Sequence, residues 1–113
     1  MRNNRSASKP PKPPSHLSPE SRKFWRWAVE EFVLEKHDLK LLRLLCENLD
    51  GAEAARHKLE TEGRTYVDKR GYPRNHPAAA QHRDCSITAA RLMRELRLSE
   101  PAADARPPRI GGK

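Results

Sequence analysis

The sequence predicts a mainly α protein: three main helices, a short β-hairpin or extended excursion between helices two and three, a disordered basic N-terminal arm and a flexible C-terminal tail. Three observations lead there. Apolar residues recur at helical spacing in three separate segments. Prolines gather towards the two ends and at two expected helix starts, Pro19 and Pro77. The stretch between Gly63 and Pro77 is instead β-prone and rich in turn residues. At 113 residues the chain has room for one domain, assigned to residues 17–102 between an arm (1–16) and a tail (103–113), and this is near the lower limit of what one core supports.

Residues 1–16 combine Pro10, Pro11, Pro13 and Pro14 with Ser, Asn, Lys and Arg, a composition that resists regular structure, so order is expected from Leu17 onward. Ser18 is a suitable N-cap, and Pro19 at the first helical position loses no hydrogen bond. The first helix is expected over residues 19–34, with Trp25, Ala28, Val29 and Phe32 forming one apolar stripe. Asp38 is the expected cap of a second helix that reaches Glu62 and stops at Gly63. Leu42, Leu45, Cys46, Leu49 and Ala52 make its main face. Leu39, Leu41 and Leu44 widen that face beyond what one neighbouring helix would cover, which suggests a further contact with another subunit.

Arg64-Thr65-Tyr66-Val67 reads as a strand, Asp68-Lys69-Arg70-Gly71 as a turn, and Pro73 and Pro77 keep the excursion short. A third helix follows from about Pro77 to Leu98, with Cys85, Ala89, Leu92 and Leu96 on one face. Arg106 to Lys113 reads as the tail.

Hydrophobic residues are 35% of the chain and charged residues 34%, which fits a thin core and speaks against a large enclosed substrate pocket. The net charge of +8 points to a polyanionic partner, because Lys and Arg contacts to phosphate release condensed counterions. Its distribution is uneven. Residues 1–16 carry +4, residues 38–62 carry −2, and residues 64–83 carry +4. Cys46 and Cys85 lie within helical apolar patterns, as packed, reduced thiols do. Apolar runs are too short for a membrane span, and the N-terminal cations precede no hydrophobic segment, so a cytoplasmic protein is expected.

The glycines form no phosphate-cradling loop, and the acids are dispersed among cations along helix faces, so no catalytic residue and no cofactor is assigned. His76, His82 and Cys85 lack the paired short spacings of a structural zinc site, and no metal ligand is assigned either. Phe24-Trp25-Arg26-Trp27 suits either base stacking or core; Trp25 and Phe32 are assigned to the core, leaving Phe24 and Trp27 for an intersubunit surface. The candidate DNA contacts are Arg2, Arg5, Lys9 and Lys12 in the arm, Arg22, Lys23 and Arg26 on the first helix, and Lys69, Arg70 and Arg74 at the turn. The candidate oligomer contacts are Trp27, Leu39, Leu41 and Leu44.

Read in order, several short features match one family. They are Pro13-Pro14-Ser15-His16-Leu17-Ser18, the Phe24-Trp25 helix, Asp38-Leu39, Leu44-Leu45-Cys46, Glu62-Gly63, the Gly71 turn, His76-Pro77, and Leu96-Arg97-Leu98-Ser99-Glu100-Pro101-Ala102 with Ala105-Arg106. In this order the chain resembles a small terminase subunit of tailed bacteriophages. The resemblance implies a non-enzymatic helical protein of the host cytoplasm that forms a homo-oligomeric ring. It further implies binding to double-stranded phage DNA and modulation of the large terminase subunit, which carries the ATPase and nuclease. The chain departs from the family pattern at the hairpin, where a glycine-rich turn is reduced to Gly71 beside Lys69, Arg70 and Arg74. The rival reading is a small helix-turn-helix regulator with Arg83, Arg91, Arg94 and Arg97 on its third helix, but the long insertion before that helix spoils the short turn the motif needs.

Overall fold

A computed structural model describes residues 10–98. It contains α1 (Pro19–Glu31), α2 (Lys36–Glu62), β1 (Thr65–Val67), β2 (Pro73–Asn75) and α3 (Pro77–Leu96). The three-helix class with a hairpin between helices two and three is thus the observed one. The arm residues before Pro10 and the tail from Ser99 lie outside the described residues.

Helix α1 begins as its sequence dictates: the Ser18 hydroxyl accepts the Ser21 N–H at 3.1 Å, with Pro19 in the first turn. It ends three residues before the expected Leu34. Phe32 has extended backbone (φ −128°, ψ 149°), although its N–H still bonds the Ala28 carbonyl at 3.0 Å. The apolar stripe outlasts the helix because Phe32 leaves the spiral to meet Trp27 edge-on, with ring centroids 5.3 Å apart. Helix α2 starts earlier than expected. Glu35 occupies the cap position, and Asp38, three residues in, accepts the Glu35 N–H at 3.0 Å, the reciprocal half of a capping box.

Helices α2 and α3 run antiparallel. Ala78 near the start of α3 clusters with Ala55 and Leu59 late in α2, while Ala89, Leu96 and Leu98 join Leu42, Leu45 and Cys46. The main core adds Leu17, Trp25 and Ala28 from the α1 side. Midway, the helices approach closely at Gly51, where a Cβ would lie 2.9 Å from Cys85 Sγ. Helix α3 stops at Leu96, not Leu98, because Arg97 turns left-handed (φ 58°). The Leu98 N–H then bonds the Met93 carbonyl, the Arg97 N–H bonds that of Arg94, and Leu98 is buried. This is a Schellman ending with arginine in the place glycine usually takes.

The hairpin pairs Thr65 with Asn75, Tyr66 with Arg74 and Val67 with Pro73. Its turn is a type of loop that needs one left-handed residue: the Gly71 N–H bonds the Asp68 carbonyl, the Asp68 N–H bonds the Tyr72 carbonyl, and Gly71 has φ +87°. A single glycine therefore suffices. Pro73 is tolerated inside β2 because a two-stranded sheet has only edge strands.

The Gly51 approach gives a measurable coupling. Gly51→Ala gains about 1 kcal/mol of helix propensity but pushes a methyl against Cys85 Sγ. In a urea-unfolding cycle with Cys85→Ala, the Gly51→Ala change is expected to stabilise more in the Cys85→Ala background than in the wild type, by about 1 kcal/mol. Additive effects would mean that α2 and α3 part freely at this level.

Candidate nucleic-acid interface

The segment leading into α1 is fastened to both neighbouring helices. Asp50, in the middle of α2, accepts the Ser18 N–H at 2.9 Å, the Ser18 hydroxyl at 2.6 Å and the Ser21 hydroxyl at 2.6 Å. Ser21 is only 3% exposed, and its hydroxyl also lies 3.4 Å from the Cys46 carbonyl, but its single proton is better placed for the shorter, charge-assisted bond. One turn away, Glu47 receives the His16 imidazole at 2.8 Å and the Arg43 guanidinium at 2.9 Å. The Trp25 indole N–H donates to the Pro11 carbonyl at 3.0 Å. Packing contacts thus begin at Pro11, earlier than the order expected from Leu17.

These bonds set the acidities. Burial pushes the Asp50 carboxyl up, but hydrogen bonds from Ser18 and Ser21 outweigh it, and the net value lies below the usual carboxylate range. The His16 hydrogen bond, followed by Arg43, likewise holds Glu47 low. Burial, with the nearby charges of Asp50 and Glu47, pushes the Cys46 thiol up to about 12, so it remains protonated and unreactive at neutral pH. Both cysteines are free thiols, Cys46 buried and Cys85 half-buried.

The fastened entry creates a cationic groove. Lys12, Pro13, Ser15, Arg22 and Arg26 line it, which brings three of the sequence-assigned DNA contacts together. They are not equivalent. Lys12 and Arg26 are exposed, whereas Arg22 is half-buried and its guanidinium donates to the Ser15 and Leu17 carbonyls. Arg22 therefore shapes the groove by holding its wall. Lys23 is exposed elsewhere on α1. Arg2, Arg5 and Lys9 lie outside the described residues.

At the hairpin, Lys69 and Arg70 are exposed at the tip, while Arg74 Nε donates to Asp68 at 2.9 Å. The Arg74 bond, with those of the turn amides, keeps Asp68 below the usual carboxylate range. At the base, His76 Nδ1 accepts the Ala78 N–H at 3.0 Å, which places the ring proton on Nε2, 2.7 Å from Glu62. His76 is thus the N-cap of α3, a role that His76-Pro77 in the sequence signals only as a junction.

The candidate oligomer contacts divide similarly. Trp27 is 43% exposed and lies between Phe24 and Phe32, with centroids 5.4 Å and 5.3 Å away. Leu44 is exposed, as is the neighbouring-loop residue Val33, but Leu39 and Leu41 are half-buried against the main core. Among the described residues no set of three or more His, Cys, Asp and Glu side chains could hold a metal ion. No described helix is long and apolar enough to cross a membrane.

The small three-helix body thus presents a basic entry groove, a basic hairpin and uncovered aromatics at its surface. The chain belongs to the phage terminase small-subunit family, whose model matches residues 17–109. No curated protein and no solved structure matches it. Membership supports a role in phage DNA packaging, for which the family's small subunits are generally non-catalytic regulators.

The entry clamp predicts an acid response. Asp50 and Glu47 have folded-state acidities below their unfolded ones, so each adds stability that is fully present above about pH 5 and is lost as the pH falls and the folded carboxyls protonate. Asp50→Asn is expected to cost about 2 kcal/mol at pH 7, since an amide NH₂ would meet the serine donors. In urea melts the gap to wild type should narrow between pH 7 and pH 3. A gap independent of pH would remove Asp50 ionisation from the clamp.

Proposed function

We propose that this chain is the non-enzymatic DNA-recognition subunit of a phage packaging complex. In this reading it assembles as a homo-oligomeric ring, binds double-stranded phage DNA, and regulates the large terminase subunit that carries the ATPase and nuclease, all in the host cytoplasm. The observation that carries the reading is the family match across nearly the whole body, combined with basic elements left open at its surface.

Affinity in this reading comes from phosphate contacts by the N-terminal cations, the Lys12–Arg26 groove, Lys23 and the hairpin cations. Each set is small. Repetition around a ring converts weak contacts into tight binding through avidity. Trp27 and Leu44 are the favoured subunit contacts, since both are large, apolar and exposed. Leu39 and Leu41 contribute mainly from the core side. A helix-turn-helix regulator is disfavoured, because residues 63–76 between α2 and α3 form a hairpin and leave no short turn.

Two measurements test this. Light scattering or native mass spectrometry is expected to give one closed multi-subunit species, with Trp27→Glu shifting it towards monomer; a monomeric wild type would sink the ring. Deleting residues 2–9, which removes Arg2, Arg5 and Lys9 but spares the Pro11 contact, is expected to weaken duplex binding and reduce its salt dependence while helicity persists. Unchanged binding would remove the arm from the interface.

A further inference from the structure

The hairpin projects from the helical pair with every residue of both strands exposed. An isolated two-stranded ribbon buries no core and is marginal by itself. Here its own polar contacts hold it. Asp68 Oδ1 accepts the Arg70 and Tyr72 N–H groups at 2.9 Å each, Asp68 Oδ2 takes Arg74, and the His76 N–H donates to the Arg64 carbonyl at 2.7 Å. The His76 bond to Glu62 ties the base to the end of α2.

The register gives the ribbon two unlike faces. Side chains alternate along a strand, and Tyr66 is paired with Arg74. Arg64, Tyr66, Asp68, Tyr72 and Arg74 therefore share one face, and Thr65, Val67, Pro73 and Asn75 the other. Tyr66 and Tyr72 are 47% and 59% exposed. Asp68, the one acid of the hairpin, is occupied by Arg74 and the turn amides, so Lys69, Arg70 and Arg64 make no ion pair among the described residues. The result is a stiffened strip carrying cations and two tyrosines on one side and at its tip.

We propose that this ribbon enters the major groove of duplex DNA, with Lys69 and Arg70 on phosphates and the Arg64, Tyr66 and Tyr72 face turned to the groove. The proposal rests on the DNA-recognition reading above and specifies its mode. Charge selects a polyanion. A major groove about 12 Å wide admits a two-stranded ribbon. Tyrosine supplies a hydroxyl for base edges or phosphate and a flat ring for sugar and thymine methyl groups. Arg74, held by Asp68, is a positioning residue for the turn.

The test uses the full-length chain and a duplex carrying its own phage DNA ends, comparing wild type with Lys69→Ala/Arg70→Ala and Tyr66→Ala/Tyr72→Ala. All these side chains are exposed, so helicity and oligomer mass should stay unchanged. Losing two phosphate contacts lowers the salt slope by about 1.8, so the wild type should lose about tenfold more affinity than the lysine–arginine variant between 50 and 200 mM salt. The tyrosine variant should bind more weakly with the slope retained, and methyl green, a major-groove ligand, should compete where distamycin does not. If wild type binds no DNA, the recognition reading itself fails. If wild type binds and both variants bind equally well, the ribbon mode alone is overturned. A variant that instead changes the oligomer mass with DNA binding intact would overturn it in favour of a protein partner on this hairpin.

Discussion

The carboxylate of Asp50 is the constraint on which the arrangement depends. A charged group on the inner side of a thin helical body is tolerated only when its hydrogen-bonding capacity is filled. Three donors fill it here, and all come from the first turn of α1 and its cap. That requirement fixes where α1 begins along α2 and brings Leu17 and Trp25 into the core. The chain before Ser18 has little freedom left, and the His16–Glu47 and Trp25–Pro11 contacts lay it across the helices. The basic groove follows from this geometry, since Lys12 reaches Arg22 and Arg26 only because the entry segment is fastened.

Much of the fold is legible in the sequence because the relevant signals are local. Ser18-Pro19, Glu62-Gly63 and Pro77 mark ends through backbone chemistry, and Leu42, Leu45, Cys46, Ala89 and Leu96 announce themselves by period. The misplaced boundaries share a cause. Phe32 continues the apolar stripe but leaves the helix to satisfy an aromatic contact, and Arg97 ends α3 in a conformation usually signalled by glycine. Neither leaves a mark in the local pattern. The Asp50 clamp was illegible because periodicity detects apolar faces, whereas this is a polar residue among Cys46 and Leu49; the faint signal is an acid on an otherwise apolar helix side, with serines three apart at a helix start.

The candidate site was legible as a list of cations but not as a geometry. Arg22 and Arg74 read like Lys12 and Lys69 in sequence, yet the structure uses the first to hold carbonyls and the second to hold a turn aspartate. Composition cannot distinguish a cation that faces solvent from one occupied by the fold. Tyr66 was legible only as part of a β-prone segment, and Tyr72 carried no assignment of its own. Their shared face emerges from the register, which depends on the one-glycine turn at Gly71.

Charge placement then explains how a chain with an acidic-leaning centre keeps its basic surfaces open. The acids of α2 are largely engaged within the fold: Glu47 with His16 and Arg43, Asp50 with the serines, Glu53 and Glu60 with Arg56, and Glu62 with His76. Asp68 is consumed by Arg74 in the same way. Each of these acids therefore serves the entry clamp, a cap, a turn or a helix pair, whereas Glu20, Glu30 and Glu31 stay exposed on α1, the helix that also carries Lys23 and Arg26. Among the described residues Lys12, Lys23, Arg26, Lys69 and Arg70 form no ion pair, although six acids lie between residues 38 and 62. An exposed, unpaired cation gains almost nothing for stability, and like charges left together oppose compaction. Lys12, Lys23, Arg26, Lys69 and Arg70 are thus not needed to hold the fold together and stay available to the polyanionic partner proposed above.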